Sequence, residues 1–231
     1  MLNGDLLDYS YDATHLGPVI GNNSCEKNFA KAASDIISRV NVLCTHSSFV
    51  NINLLRYLYK SLCTAYYGCP LWKLSGTSLD SFVTCWKKSI RHLFKLSNRT
   101  RSRLIPYIIG SADIQTQLLT RFSSFWIKCC TSSNEILKIC TQVCESGFSV
   151  VDCNLREVMS SLHIDYIDLE TFVLDDSLSQ RISEKFVNDM TNDDYTQATA
   201  ILELCEIRDG RLTSNFSKIE LEEFLLLLCT T

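Results

Sequence analysis

The sequence predicts a mainly α protein, a helical bundle preceded by a short N-terminal β-hairpin, and three observations carry that prediction. Apolar residues recur at threes and fours along most of the stretch from Ser24 to Glu145, which is the period of one helix face. Turn signals fall between those runs, at Gly68 and Pro70, at Gly110-Ser111 and at Ser132-Ser133, leaving connections short enough for a bundle. With 231 residues, 46% of them hydrophobic, the chain can bury a sizeable core.

Residues 1–21 read as extended. Asn3-Gly4 is a hairpin turn signal, and after Tyr11 and Asp12 comes the run His15-Leu16-Gly17-Pro18-Val19-Ile20. With two residues ahead of the turn, this hairpin reads as truncated. From Ser24 the pattern turns helical, with Phe29, Ala32, Ala33, Ile36, Ile37, Val40 and Leu43 on one face and Asn23 or Ser24 able to cap its start. A second helix is expected over residues 53–66, ended by Gly68 and Pro70, with Leu54, Leu55, Leu58, Leu62 and Ala65 inward.

The third helix, residues 78–96, gathers Leu79, Phe82, Val83, Trp86, Ile90, Leu93 and Phe94 in one arc at about 100° per residue. Lys87, Lys88, Arg91 and Lys95 fall in another, centred about 130° away, so the helix buries one side and offers cations on the other. Further helices are expected over 100–109, 113–131 and 134–145. Beyond Gly147 the periodicity weakens to pieces at 155–162, 178–190, 195–206 and 217–228, with 189–194 the softest candidate linker. The chain thus divides into an extended segment, 1–21, a helical bundle, 22–147, and an acidic helical C-terminal region, 148–231.

The net charge of -4 conceals an asymmetry, because residues 1–144 hold 16 basic and 8 acidic side chains whereas 145–231 hold 6 and 18. Between Asp80 and Asp113 lie 32 positions without a carboxylate. Lys87, Lys88, Arg91, Lys95, Arg99, Arg101 and Arg103 therefore form an unbalanced positive ridge of the kind that attracts a polyanion. An ordinary charge run is a solvated helix face, but an acid-free stretch of this length favours nucleic-acid contact. Lysine and arginine would neutralise phosphates there, in a salt-dependent and largely sequence-indifferent way. The acidic region can fold back and screen the ridge, or contact something else.

Twelve cysteines are many for the size, yet residues 1–11 carry Asp5 and Asp8 and no apolar signal-peptide core, so an intracellular chain with reduced thiols is expected. Cys44, Cys63, Cys85, Cys129 and Cys140 sit among apolar neighbours at helical spacing, where a thiol packs as a small hydrophobe. No run reaches 18 uninterrupted apolar residues, so no membrane span is expected. The sequons at Asn22, Asn98 and Asn215 are read as chance.

Chemistry-bearing patterns are weak. Asp175-Asp176, and less well Asp193-Asp194, superficially match a metal-binding acid pair, but the first is better read as capping a helix that begins near Ser177. Cys140, Cys144, Cys153 and His163 make zinc chemically possible without matching a tight structural-zinc spacing, and Cys-x-x-Cys is absent. His15, His46, His92 and His163 are scattered, and there is no glycine-rich phosphate loop. No catalytic residue, metal or cofactor is expected.

The order His15-Leu16-Gly17, a long helix, Leu62 to Tyr67, Gly68, Pro70-Leu71-Trp72, Trp86-Lys87-Lys88, Ile90-Arg91 and Leu93 resembles the C-terminal part of non-LTR (LINE-type) retrotransposon reverse transcriptases. Glu206-Ile207-Arg208-Asp209-Gly210 and the stretch from Phe224 to the closing Cys229-Thr230-Thr231 resemble the ends of such reading frames. The resemblance implies that 1–21 is the end of a palm, that 22–147 is a thumb gripping template-primer duplex, and that Lys87 and Arg91 occupy basic positions of the family pattern. It also implies that the paired catalytic aspartates lie upstream of His-Leu-Gly, where this sequence has only Asp5, Asp8 and Asp12 singly. Asp175-Asp176 comes in the wrong order to replace them. The expectation is a truncated RNA-directed DNA polymerase fragment, no enzyme by itself, that keeps weak non-specific affinity for RNA/DNA duplex or hybrid. The alternatives are an all-α domain that contacts a protein partner or a second copy, and a relic without function.

Overall fold

Asp12–Thr14 (β1) and Val19–Gly21 (β2) pair antiparallel, Asp12 opposite Gly21 and Thr14 opposite Val19, in the computed structural model. The structure describes residues 12–14, 19–21, 24–46, 52–144, 149–162 and the helical residues 194, 196 and 198. The turn expected at Asn3-Gly4 lies outside them. Everything else of regular structure among the described residues is helical: seven α-helices and two short 3₁₀ turns. No described helix is long and apolar enough to cross a membrane.

Helix α1, Ser24–His46, buries Phe29, Ala32, Ile36, Val40 and Leu43, the stripe that the apolar period marks out. Ile37, expected inward, is half exposed, because it lies about 100° round the helix from the centre of that stripe. Asn28 joins the buried side and ties α1 to the strands. Its amide donates to the Val19 carbonyl at 2.9 Å, while its Oδ1 accepts from the Val19 N–H at 2.8 Å.

Helix α2, Ile52–Cys63, is shorter than expected and rolled by about 100°, so that Ile52, Leu55, Tyr59 and Cys63 face the core. Leu54 and Leu62 are nearly half exposed instead, and Ala65 follows the helix on the surface. The roll has a polar cause. It aims Arg56 at the carbonyls of Ile108 (2.6 Å) and Tyr107 (3.1 Å) and Lys60 at that of Gly110, across on the next helix but one. A leucine-centred face would turn both cations away.

A 3₁₀ turn, Cys69–Leu71, leads to α3, Thr77–Leu93, and a second, Ser102–Leu104, runs into the five-residue α4, Ile105–Ile109. Gly110 ends α4 with φ 63°, and the Ser111 N–H reaches back to the Pro106 carbonyl at 3.0 Å. That left-handed closure is one that glycine accepts without strain. Helix α5, Ile114–Cys130, is capped by Asp113, whose Oδ1 accepts from the N–H groups of Gln115 (2.9 Å) and Thr116 (3.2 Å). Ile114, Leu118, Phe122, Trp126 and Ile127 point inward. The core is centred on Trp86, Tyr59, Phe82, Phe94 and Phe122, with Phe29 packed against Trp72 and Phe82 at ring separations of 5.0 and 5.4 Å.

Helix α6, Glu135–Cys144, departs from the bundle's pattern: Ile136, Ile139 and Val143 are 60–70% exposed although the helix is amphipathic. Helix α7, Val150–Leu162, begins earlier than periodicity indicates, because Ser149 caps it and a polar residue occupies its buried side. That residue is Asn154, fully buried. Its Oδ1 accepts from the Leu74 N–H at 2.7 Å and its Nδ2 donates to the Trp72 carbonyl at 2.8 Å. Of the later helices expected, 178–190 and 217–228 lie outside the described residues.

Two outcomes follow for stability. Asn154→Ala strands a buried N–H and a buried carbonyl, so chemical denaturation should register a loss of about 2–4 kcal/mol; a loss under about 0.5 kcal/mol would show that the clamp is dispensable. Burial raises the Cys63 thiol from its ordinary 9.0 to about 11, opposed weakly by Arg39. The folded state then holds a proton that the unfolded state releases, so this stability is full below about pH 9 and lost towards pH 11. Thermal melts across that window should fall more steeply for the native chain than for Cys63→Ala; parallel curves would contradict the assigned burial.

Candidate nucleic-acid interface

Helix α3 presents its cations because its other side is committed. Leu79, Phe82, Val83, Trp86, Ile90 and Leu93 are buried, and Ser89 between them is small enough to join. With that arc fixed, Lys87, Lys88 and Arg91 lie on the opposite side, Lys88 exposed and the other two partly covered. Exposed Asp80 shares this side two turns before Lys87, so the acid-free surface starts in the second half of the helix.

The helix ends in a left-handed closure built on an unusual residue. The Leu96 N–H donates to the Arg91 carbonyl at 2.8 Å and the Lys95 N–H to that of His92 at 3.2 Å, with Leu96 buried beneath. Lys95 carries φ 52°, the single non-glycine residue with positive φ among the described residues. Glycine normally fills this place. The exposed Lys95 side chain therefore leaves the chain from a fixed turn at the tip of α3.

From there the backbone doubles back along α3, held by Arg91. The Nη2 of Arg91 donates to the Thr100 carbonyl at 2.8 Å and to the Ser102 hydroxyl at 3.0 Å. Its Nε is buried without a hydrogen-bond partner, and burial lowers its pKa from the ordinary arginine value. The pin brings the segment carrying Arg99, Arg101 and Arg103 beside the cationic side of α3. One guanidinium thus ties the end of α3 to residues 100–102.

The seven are not equivalent. Lys88, Lys95 and Arg99 are exposed, and Lys87 and Arg101 are partly covered. Arg103 departs from the expectation of an unbalanced cation: its Nε lies 2.7 Å from Asp194, whose side chain is 3% exposed against 52% for the arginine. A carboxylate from the acidic region thus neutralises one end of the ridge. Of the candidate linker 189–194 and the pair Asp193-Asp194, Asp194 alone is among the described residues. Asp175-Asp176 lies outside the described residues.

Other cations escaped the sequence reading because their partners are backbone atoms or, for Arg121, an aromatic ring. Arg39 donates to the Leu62 carbonyl at 2.7 Å at the end of α2, Arg56 and Lys60 serve the end of α4, and Arg121 lies over the Tyr66 ring at 5.1 Å. The available signal is an arginine bordering an apolar stripe, which does not name its acceptor. Among the described residues no group of three His, Cys, Asp or Glu side chains is placed to hold a metal ion. Cys140 is exposed on α6 and Cys153 partly covered on α7, while His163 lies outside the described residues.

No family model matches the chain, and neither the curated proteins nor the solved structures contain a match.

The turn at Lys95 yields a separable outcome. Lys95→Gly relieves the left-handed strain and should raise stability by about 0.5–1 kcal/mol, read as a rise of roughly 1–4 °C in Tm. A lowered Tm would mean that the Lys95 side chain contributes more by packing than the turn loses by strain.

Proposed function

We propose that the α3 surface and the segment after it bind the sugar-phosphate backbone of duplex or hybrid nucleic acid, weakly and without base readout. The observation that carries this reading is the concentration of cations with no carboxylate partner among the described residues: Lys87, Lys88, Lys95 and Arg101 on one acid-free stretch. The reading includes an intracellular chain resembling the thumb of a LINE-type reverse transcriptase, contributing grip and no chemistry of its own. Retaining such mutual repulsion is unfavourable for an isolated fold and is offset when a polyanion is bound.

A second reading, contact with a protein partner or a second copy, is favoured by one observation, the outward apolar arc of α6 with Ile136, Ile139 and Val143. The two separate cleanly by salt. Fluorescence anisotropy with an RNA–DNA hybrid between about 50 and 200 mM salt should give a log–log slope near -3 to -4 for about four phosphate contacts. Alanine at Lys87, Lys88, Lys95 and Arg101 together should abolish most of that slope. A flat salt response, or an unchanged slope in the quadruple variant, overturns the nucleic-acid reading. A salt-insensitive dimer on size exclusion would favour the second.

A further inference from the structure

We infer that Arg91 is the preoriented phosphate anchor of this surface and that Ser102 is its positioning residue. The inference rests on the nucleic-acid reading above and adds an internal hierarchy to it. Both hydrogens of Nη2 are used, one on the Thr100 carbonyl and one on the Ser102 hydroxyl, 2.8 and 3.0 Å away. Nε faces the dry side, buried and unpartnered. What remains is Nη1, which makes no hydrogen bond among the described residues and is not among their buried orphan atoms, so it meets solvent with two unused donors.

A guanidinium is planar, so two contacts on Nη2 and a buried Nε fix where Nη1 points. Lys87, Lys88 and Lys95 each end in an ammonium on a flexible stem and must give up rotamer freedom when they meet a phosphate. Arg91 has given up that freedom in the free protein. Its position adds to the case: it is the joint between α3, which carries Lys87 and Lys88, and the segment that carries Arg99 and Arg101. A phosphate on Nη1 would therefore sit at the centre of the charged surface and set the register of the strand across it. Ser102 touches no ligand in this scheme. It acts by holding the arginine.

The test separates geometry from charge. Ser102→Ala removes one pin and no charge, and Arg91→Lys keeps the charge but cannot hold two acceptors on one nitrogen while presenting another. Each should weaken binding of the same RNA–DNA hybrid to the full chain about three- to tenfold, the range for immobilising one long side chain. The salt slope should stay within about 0.5 of the native value, because the number of neutralised phosphates is unchanged. Ser102→Thr, which restores the hydroxyl, should recover most of the affinity, and thermal melts of each variant establish that the fold is intact. Unchanged affinity in Ser102→Ala and Arg91→Lys, alongside a clear loss in Lys87→Ala/Lys88→Ala, overturns this inference and leaves the nucleic-acid reading standing. Unchanged affinity in all of them overturns both.

Discussion

The constraint on which this bundle depends is the supply of donors for carbonyl groups that short helices leave open at their ends. Every helix C-terminus exposes up to four such acceptors, and here the chain turns often: α2 has twelve residues and α4 only five. The deficit is met from the side. Arg39 closes the end of α2, Arg56 and Lys60 close α4, and Arg91 closes the loop that follows α3. Bonds to a charged donor contribute about 1.5–3 kcal/mol each, more than neutral ones, and they act between elements distant in sequence. Arginine therefore sets the roll of α2 and the path of residues 97–104 as firmly as leucine sets the core.

Two asparagines do the same for strand-like segments. Asn28 offers one donor and one acceptor to Val19, and Asn154 offers the same pair to Trp72 and Leu74. A side-chain amide is a peptide group carried on a helix, so it can pair with extended backbone as a neighbouring strand would. Each clamp adjoins the aromatic cluster, Asn28 beside Phe29 in sequence and Asn154 on the carbonyl of Trp72, and the rings of Phe29 and Trp72 pack with Phe82.

Helices α1, α3 and α5 were legible in the sequence because a regular apolar stripe and a capping or turn signal agreed. The phase of α2 was not. Leu54, Leu58 and Leu62 form a credible stripe, and nothing local shows that Arg56 and Lys60 must face α4, some fifty residues on. The start of α7 was obscured because Asn154, a polar residue, occupies its most buried position. At the basic stretch, composition singled out seven cations, since the signal was an absence of acids along a continuous run. Which of them are engaged was not legible: Arg91 meets a backbone carbonyl, and Arg103 meets Asp194, far away in the sequence. Backbone acceptors leave no mark on the amino-acid alphabet.

Helix α6 differs in kind from its neighbours. Ten residues are too few to persist as an isolated helix in water, where nucleation outweighs the few hydrogen bonds gained. Its ordering is therefore borrowed from α5 before it and α7 after it, with its own large apolar side chains contributing little while they face outward. Such an element sits at the low end of the molecule's range of local opening free energies. Its amide protons are the ones to exchange by fraying, independently of global unfolding, and any surface that covered Ile136 and Ile139 would slow that exchange before it changed anything else in the fold.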